Sequence, residues 1–191
     1  MHNKVIIGVD EVGRGCLAGP VFAAAVILPH EYAVQNLFKD SKLLSIKKRA
    51  DLSTLILKVA KVGVAFATVK EIDDLNILQA SLLAMKRAVE KLNLKKADIL
   101  VDGKFTIPNL SSQFLQKAVI KGDSKHQQIA AASIVAKVVR DNLLIKMSKQ
   151  YPQYFFENHK GYGTKLHKEA IKKWGPCKEH RPSFRGVKEF L

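Results

Sequence analysis

The order of strand-like and helix-like segments constrains the fold of this chain most strongly. Two short runs rich in β-branched residues, KVIIGVD and VFAAAVIL, flank a Gly-rich turn and predict a β-hairpin. A helix N-capped by Ser45 and reaching about Lys61 comes next, and VGVAFATV then reads as a third strand. Helix and strand patterns alternate after that point, which predicts an α/β domain with a mixed sheet.

The second half of the chain continues this alternation. Residues 71–92 carry the apolar spacing of one amphipathic helix, and residues 97–102 and 115–123 read as a fourth and a fifth strand. Residues 126–150 predict a long helix, whose small residues Ala130–Ser133 allow close approach to a sheet or a ligand. We therefore expect a five-stranded mixed sheet flanked by helices.

The last forty residues differ from this pattern. Pro152 marks the end of the long helix, and a short helix is predicted from near Thr164 to Gly175. We expect residues 1–150 to form the main body and residues 151–191 to form a small helical appendage of the same domain.

Carboxylates stand at the ends of three predicted strands. Asp10 and Glu11 follow the first, Asp102 ends the fourth and Asp123 ends the fifth. Sites form at the carboxyl ends of neighbouring parallel strands, so these four acids are expected to lie together. Clustered oxygen ligands select hard cations, Mg²⁺ or Mn²⁺, and fit two-metal cleavage of a phosphodiester. Each motif alone is also a common strand-turn signal.

The charge balance indicates the class of partner. The chain has 32 Lys and Arg against 17 Asp and Glu, a formal net charge of +15, which favours nucleic acid over an anionic membrane. A basic surface kept for solubility is the alternative. Cys16 and Cys177 cannot form a disulfide framework, and the chain opens without a signal-like apolar segment, so we expect a reducing, cytoplasmic location. Apolar runs are too short to span a membrane.

Six sequence blocks then identify a family. They are GVDEVGRGCLAGPVFAAAVIL, DSKLLS, ILVDG, KGDSKHQQIAAASIVAKVVRD, HKGYGT and HRPSF. In this order and spacing, over residues 5 to about 187, the chain resembles bacterial ribonuclease HII, the type 2 ribonuclease H. HRPSF departs from a more usual HRRSF, and that puts a phosphate contact in the tail in doubt.

The resemblance implies a fold, a reaction and a substrate. The fold would be ribonuclease H-like, with residues 1–150 as the catalytic domain and residues 151–191 contacting substrate. The enzyme would be a metal-dependent endoribonuclease, expected to act as a monomer. It would cut the RNA strand of RNA–DNA hybrids, and single ribonucleotides in duplex DNA on their 5′ side, leaving 3′-hydroxyl and 5′-phosphate ends.

The resemblance also implies roles for individual residues. The catalytic, metal-binding acids would be Asp10, Glu11, Asp102 and Asp123. The turn Gly13, Arg14 and Gly15 would read the ribonucleotide, since only the 2′-hydroxyl separates RNA from DNA. Tyr162 would stack on the next sugar, and Lys42 would contact the substrate.

Other interpretations remain open from the sequence. The chain could be a non-catalytic basic module that binds nucleic acid, or a DNA-cutting nuclease of the same fold that ignores the 2′-hydroxyl. Cys177 and His180 have a C-x-x-H spacing that hints at zinc, but no second such pair lies nearby. His126, His159 and His167 are expected at the surface or in contact with substrate.

Overall fold

The computed structural model describes residues 5–35, 37–38 and 44–191. Within these residues the strands are β1 (Ile6–Val12), β2 (Val21–Ile27), β3 (Lys61–Ala67), β4 (Ala97–Asp102) and β5 (Phe114–Val119). The α-helices of the same residues are α1 (His30–Ala33), α2 (Ile46–Val59), α3 (Val69–Leu75), α4 (Ile77–Glu90), α5 (Gly122–Lys125), α6 (Gln127–Gln150), α7 (Phe156–His159) and α8 (Lys165–Trp174). Single 3-10 turns cover Pro152–Tyr154 and Lys188–Phe190.

The described strands form one mixed sheet in the order β3-β2-β1-β4-β5. β1 and β2 pair antiparallel as the predicted hairpin, and β3 pairs antiparallel with β2. β4 pairs parallel with both β1 and β5. The predicted five-stranded mixed sheet is confirmed, and β1, β4 and β5 are neighbours that end at one edge.

Helix ends follow the capping residues in the sequence. The Ser45 side chain accepts a hydrogen bond from the Lys48 N–H and begins α2, and the Thr164 hydroxyl accepts one from the His167 N–H and begins α8. Gly175, with φ of 71°, ends α8, because glycine adopts this left-handed backbone without a steric penalty. The predicted starts of α2 and α8 and the predicted end of α8 are therefore confirmed.

The prediction of one helix over residues 71–92 is wrong. α3 and α4 are separate helices, and Asn76 lies between them with φ of 69°. Its side-chain oxygen accepts hydrogen bonds from the N–H groups of Leu78 and Gln79, so Asn76 is the N-cap of α4. The apolar spacing continues across the break, which is why the pattern alone predicts a single helix.

Two layers of helix cover the sheet. Ile7, Val9, Ala23 and Ala25 point to the face covered by α4, and the alternate residues of β2 point to the face covered by α6. A side-chain carbon at Gly8 would lie 2.1 Å from the carbonyl carbon of Gln128, so α6 packs directly on the backbone of β1. The small residues of α6 permit this approach, as predicted.

The C-terminal residues pack on the end of α6 and on the loop after β1. Tyr154, Phe156 and Ala170 form a buried cluster with Ala18 and with residues of α6. The division at residue 150 remains a prediction, because this cluster joins both parts. No helix among the described residues is long and apolar enough to cross a membrane.

Candidate functional site

Asp10 and Glu11 lie near the C-terminal end of β1. Asp10 lies on the same face as Gly8, toward α6, and only 5% of it is exposed. Its Oδ1 accepts the Glu11 N–H at 2.7 Å, and its carboxylate also accepts a hydrogen bond from Ser133 of α6. Arg14 donates to Glu11 Oε1 at 3.2 Å, an ion pair across the turn.

The parallel register brings Asp102 beside Asp10. Val9 pairs with Val101, so the next residue on each strand is an aspartate, and the two side chains end adjacent strands. Asp102 Oδ1 accepts the Gly122 N–H at 2.7 Å. That hydrogen bond anchors the beginning of α5 to the end of β4.

The prediction that the fifth strand ends at Asp123 is wrong. β5 ends at Val119, and Asp123 lies in the single turn of α5. Lys121, with φ of 54°, turns the chain out of the strand direction. Asp123 still follows Gly122, the residue bonded to Asp102, and its Oδ1 accepts the Ser124 N–H.

Two of these acids, Asp10 and Glu11, have a raised pKa. Burial raises the pKa of Asp10 well above its ordinary value, and the charges of Glu11 and Asp102 raise it further. The Ser133 hydrogen bond opposes this shift. Burial also raises the pKa of Glu11, against the lowering effect of the Arg14 guanidinium. The cluster therefore carries an electrostatic cost that a nearby cation would relieve.

The donor chemistry of this cluster fits a hard divalent cation. Its ligand atoms are carboxylate oxygens, which suit Mg²⁺ and Mn²⁺ and not a zinc site of sulfur and imidazole. Among the described residues, no group of three or more His, Cys, Asp or Glu forms a ready-made metal cage. Mg²⁺ commonly binds through one or two carboxylates together with substrate phosphates and water, and such a site requires no full protein cage.

Three of the four acids, Asp10, Glu11 and Asp102, line a cleft of about 390 Å³ together with most of the predicted substrate residues. The lining residues are Asp10, Glu11, Val12, Gly13, Arg14, Gly15, Arg49, Asp102, Ser133, Lys137 and Tyr162. Asp123 is not among them. Lys42, which the resemblance assigns to substrate contact, lies outside the described residues.

Three polar lining residues were not predicted as site residues from the sequence: Arg49, Ser133 and Lys137. Ser133 and Lys137 are four residues apart and share one face of α6, the spacing that could have indicated them. Lys137 pairs with Asp141 at 2.8 Å, and its Nζ lies 5.5 Å from the centre of the Tyr162 ring. A cation is thus held beside the predicted sugar-reading tyrosine.

The Gly-Arg-Gly turn follows β1 at the mouth of the cleft. Gly13 is buried with φ of 95°, and a side-chain carbon there would lie 2.2 Å from Arg140 Nε, so only glycine fits. A side-chain carbon at Gly15 would have no atom within 4 Å, so that side of the residue is open. Tyr162 faces this turn, because its backbone forms an isolated bridge with Cys16, and 39% of the residue is exposed.

Buried histidines hold the backbone of Tyr162. His167 Nδ1 donates to the Tyr162 carbonyl at 2.9 Å, which leaves His167 Nε2 as the acceptor for His180 Nε2, 3.0 Å away. His180 Nδ1 in turn accepts the Cys177 N–H at 2.9 Å. Burial lowers the pKa of both histidines to about 4, so both are neutral at pH 7.

Two histidine expectations change accordingly. His159 and His167 are buried, and their rings stack with centres 4.2 Å apart, so the surface position expected for them is wrong. The C-x-x-H pair is an internal contact, in which Cys177 Sγ lies 3.2 Å from His180 Nδ1. The second ring nitrogen of His180 contacts His167, so hydrogen bonds within the protein already account for the C-x-x-H spacing that hinted at zinc.

Comparison with known proteins gives one consistent family. A family model described as Ribonuclease HII matches residues 7–187. A relative named Ribonuclease HII from Desulfotalea psychrophila is 52% identical, covering 100% of this chain and 86% of its own. Another from Pelagibacter ubique is 48% identical, covering 98% of this chain and 100% of its own.

Solved structures share the fold. A chain of the PCNA:RNase HII complex from Archaeoglobus fulgidus superposes with a TM-score of 0.80 at 25% identity, covering 95% of both chains. Ribonuclease H2 from Pyrococcus horikoshii OT3 gives 0.78 at 25% identity, covering 97% of this chain and 96% of its own. Bst-RNase HIII in complex with Mn²⁺ gives 0.75 at 19% identity, covering 98% and 69%.

Proposed function

Because the chain belongs to the ribonuclease HII family and is therefore a ribonuclease H, we propose a specific substrate and cleavage position for it. It cuts the RNA strand of RNA–DNA hybrids, and single ribonucleotides in duplex DNA on their 5′ side, leaving 3′-hydroxyl and 5′-phosphate ends. One observation carries this proposal: Asp10, Glu11 and Asp102 line the same cleft as the Gly-Arg-Gly turn and Tyr162. Acids suited to metal thus lie next to groups suited to a sugar.

Asp10, Glu11, Asp102 and Asp123 are the residues that would hold Mg²⁺ or Mn²⁺. The burial of Asp10 and the mutual repulsion of the acids favour a cation there, and the related fold of Bst-RNase HIII binds Mn²⁺. A divalent ion at this place would supply Lewis-acid catalysis to phosphodiester hydrolysis. Ser133 orients Asp10, and Gly122 orients Asp102, each by a hydrogen bond to the carboxylate.

We assign the reading of the 2′-hydroxyl to the Gly-Arg-Gly turn. Gly15 is exposed at the mouth of the cleft and leaves its backbone accessible to a sugar. Tyr162 offers a partly exposed ring to the next sugar, and an aromatic face stacks on any nucleotide without reading its base. Discrimination between ribose and deoxyribose would therefore come from the backbone of the turn.

Cations around the cleft would hold the phosphates. Arg14 pairs with Glu11, and Lys137 lies beside Tyr162. Both line the cleft and remain partly exposed to solvent. Contacts with phosphate set the position of the strand without reading its sugar or base. Lys42 belongs to the same group on the resemblance alone.

A duplex carrying one ribonucleotide tests the proposal. Incubated with Mg²⁺ or Mn²⁺, the protein is expected to cut it once, 5′ to the ribonucleotide, and to leave an all-DNA duplex of the same sequence intact. Without metal, neither is cut. Equal cleavage of the all-DNA duplex would favour a DNA-cutting nuclease of the same fold and would contradict the sugar-reading role.

We also propose that the protein acts as a monomer in the cytoplasm. Its two cysteines are free thiols, which suits a reducing compartment, although Cys16 is buried and protected in any case. Light scattering with and without the duplex tests the monomer, with one protein per duplex expected.

A further inference from the structure

We propose that Arg181 and Arg140 are positioning residues: Arg181 holds the Gly-Arg-Gly turn by its carbonyl groups, Arg140 holds the rest of the β1–β2 loop by its carbonyl groups, and together they aim the N–H groups of the turn at the substrate. This inference rests on the proposed function of that turn. It assigns a role in ribonucleotide recognition to two side chains that substrate cannot touch. Arg140 lies on α6, and Arg181 lies in the C-terminal segment after α8. Both are far from the turn in sequence.

Arg181 binds the turn itself. Its Nη1 donates to the Arg14 carbonyl at 2.9 Å, and its Nη2 donates to the Gly13 carbonyl at 2.8 Å. Its Nε and Nη2 also donate to the Gly19 carbonyl, at 3.0 and 2.8 Å, where the loop turns toward β2. One guanidinium therefore joins both ends of the β1–β2 loop.

Arg140 binds the second half of the same loop. Its three nitrogens donate to the carbonyls of Pro20, Ala18 and Lys160, at 3.1, 3.0 and 2.8 Å. Lys160 immediately precedes the Gly161–Tyr162 segment, so Arg140 connects the β1–β2 loop to the backbone that carries Tyr162. The Cα of Gly13 also packs against the Arg140 side chain.

Both arginines are 0% exposed, and neither pairs with a carboxylate within residues 5–35, 37–38 and 44–191. Burial of a cation without an opposite charge is costly, so its hydrogen bonds must offset a large desolvation penalty. Burial and the charge of Arg140 lower the pKa of Arg181 to about 10, which leaves it charged at pH 7. Such a cost is unusual for packing alone, and apolar side chains could fill the volume.

The geometry of the peptide bond shows what the clamp achieves. All described peptide bonds are trans, and in a trans peptide the C=O and the following N–H point in opposite directions. The carbonyls of Gly13 and Arg14 point to Arg181, so the N–H groups of Arg14 and Gly15 point away from it. Neither N–H has a hydrogen-bond partner among the described residues. Two adjacent donors are thus held free and fixed in direction at the cleft.

Arg181→Lys tests this inference, because lysine keeps the charge but loses the planar fork that binds three carbonyls at once. Hydrogen–deuterium exchange without substrate should be faster over residues 13–20 than in the wild type. On the single-ribonucleotide duplex, kcat should fall roughly ten- to a hundredfold, as expected for a misplaced reacting group. The dissociation constant should change less than about threefold, since phosphate contacts are intact.

Arg87→Lys is the matched control. Arg87 also forms a fork, to Glu71 and to the Phe66 carbonyl, but it lies outside the cleft. The Arg87→Lys variant should have a lower melting temperature, with hydrogen exchange over residues 13–20 and kcat both unchanged. Arg140→Lys is the second variant, and it decides the question by the same readouts if Arg181→Lys does not fold.

Several results would overturn the inference. Unchanged exchange in the turn would show that the arginine does not hold it, and faster exchange with unchanged kcat would show that its rigidity does not matter. A raised KM at unchanged kcat would indicate a phosphate-binding role. Failure of the wild type to distinguish ribonucleotide from all-DNA duplex would contradict the proposed function and leave the exchange result standing.

Discussion

At Asp10 the fold places a carboxylate where it is costly in the absence of a partner. The residue is nearly buried, two other carboxylates raise its pKa, and the compensating hydrogen bonds come from Ser133 and the Glu11 N–H. A side chain retained at such a cost indicates a role that depends on charge. Binding a cation is the role that removes the cost.

Asp10→Asn tests this trade-off. The amide removes the buried charge, so the melting temperature without metal should rise, by the equivalent of about 1 kcal/mol or more. Cleavage should be nearly abolished, and duplex binding should be retained or tightened, because a negative charge facing phosphate is lost. Scanning calorimetry with and without Mn²⁺ should show a stabilising shift for the wild type only.

Asp51→Asn serves as the control for Asp10→Asn, because Asp51 is an exposed carboxylate on α2. It should leave both the metal-dependent shift and cleavage unchanged. The amide variants of Glu11, Asp102 and Asp123 should also lose cleavage. Full turnover by all four site variants in saturating Mg²⁺ would remove the metal assignment.

Two substitutions at Tyr162 distinguish the contribution of its ring from that of its hydroxyl. Tyr162→Ala should lower cleavage of the single-ribonucleotide duplex by roughly ten- to a hundredfold, the cost of about 1–3 kcal/mol for a lost stacking contact in the transition state. Binding should fall much less. Tyr162→Phe should keep most activity if the ring provides the contact. Single-turnover rates on the single-ribonucleotide duplex and on a duplex of continuous RNA opposite DNA measure this, and wild-type rates for the alanine variant on both would contradict it.

At the scale of elements, breaks and caps decide where α4 and the C-terminal helices lie. Asn76 adopts φ of 69° and ψ of 162°, a backbone region that glycine occupies far more readily, and it also caps α4. Downstream, the buried, neutral pair His167 and His180 joins α8 to the C-terminal segment that follows it. Each of these devices makes its own stability prediction.

Asn76→Ala should destabilise the protein by about 1–3 kcal/mol, because alanine loses the cap and keeps the strained backbone. Asn76→Gly should cost only a few tenths of a kcal/mol, since glycine relieves the strain. Urea unfolding measures both. Asn93→Ala is the control: Asn93 also has positive φ, of 50°, without capping a helix, so a loss as large as that at Asn76 would show that the cap contributes nothing.

Acid should weaken the C-terminal helices through the histidine pair. The folded pKa of His167 and His180 is about 4, below the ordinary value of 6.5, so the unfolded chain binds more protons between these values. Stability is therefore full above about pH 6.5 and falls as pH drops toward 4, by at most about 1.4 kcal/mol per pH unit for each histidine.

Melting temperatures between pH 7.5 and 4.5 check this pH dependence. His180→Asn should flatten the curve while lowering stability at pH 7.5, whereas His30→Gln, a change at an exposed histidine, should leave the curve as it is. An unchanged slope in the His180 variant would show that other groups bind the protons.

At the scale of the whole molecule, a basic chain surrounds an acidic site. The net charge is +15, yet Asp10, Glu11 and Asp102 lie together in one cleft. On the proposed function, the basic surface would attract the nucleic acid and the acids would carry out the cleavage. The family assignment excludes the basic module without catalysis as an account of this chain.

Affinity for duplex should depend steeply on salt. If the basic surface makes six to ten phosphate contacts, the association constant should fall by about 10³ to 10⁵ between 50 and 200 mM salt. The ratio of affinities for ribonucleotide-containing and all-DNA duplex should change far less, because phosphate contacts do not read the sugar. Fluorescence anisotropy measures both. A flat plot of log K against log salt would show that the basic residues lie away from the duplex.

The sequence by itself determined the features that local chemistry controls. Alternation predicted the sheet, Ser45 and Thr164 predicted helix starts, and the position of Asp10 and Asp102 at strand ends predicted that they meet. Each of these depends on a few neighbouring residues, or on the rule that parallel strands share an edge.

Only the tertiary structure decided the rest. Periodicity could not show the break at Asn76, and the strand pattern through residue 123 concealed the turn at Lys121 that removes Asp123 from β5. Ser133 reached the site through the packing of α6 on β1, and Arg181 reached the Gly-Arg-Gly turn across 168 positions of sequence separation. Such contacts form between segments whose local patterns carry no information about each other, so packing alone places them.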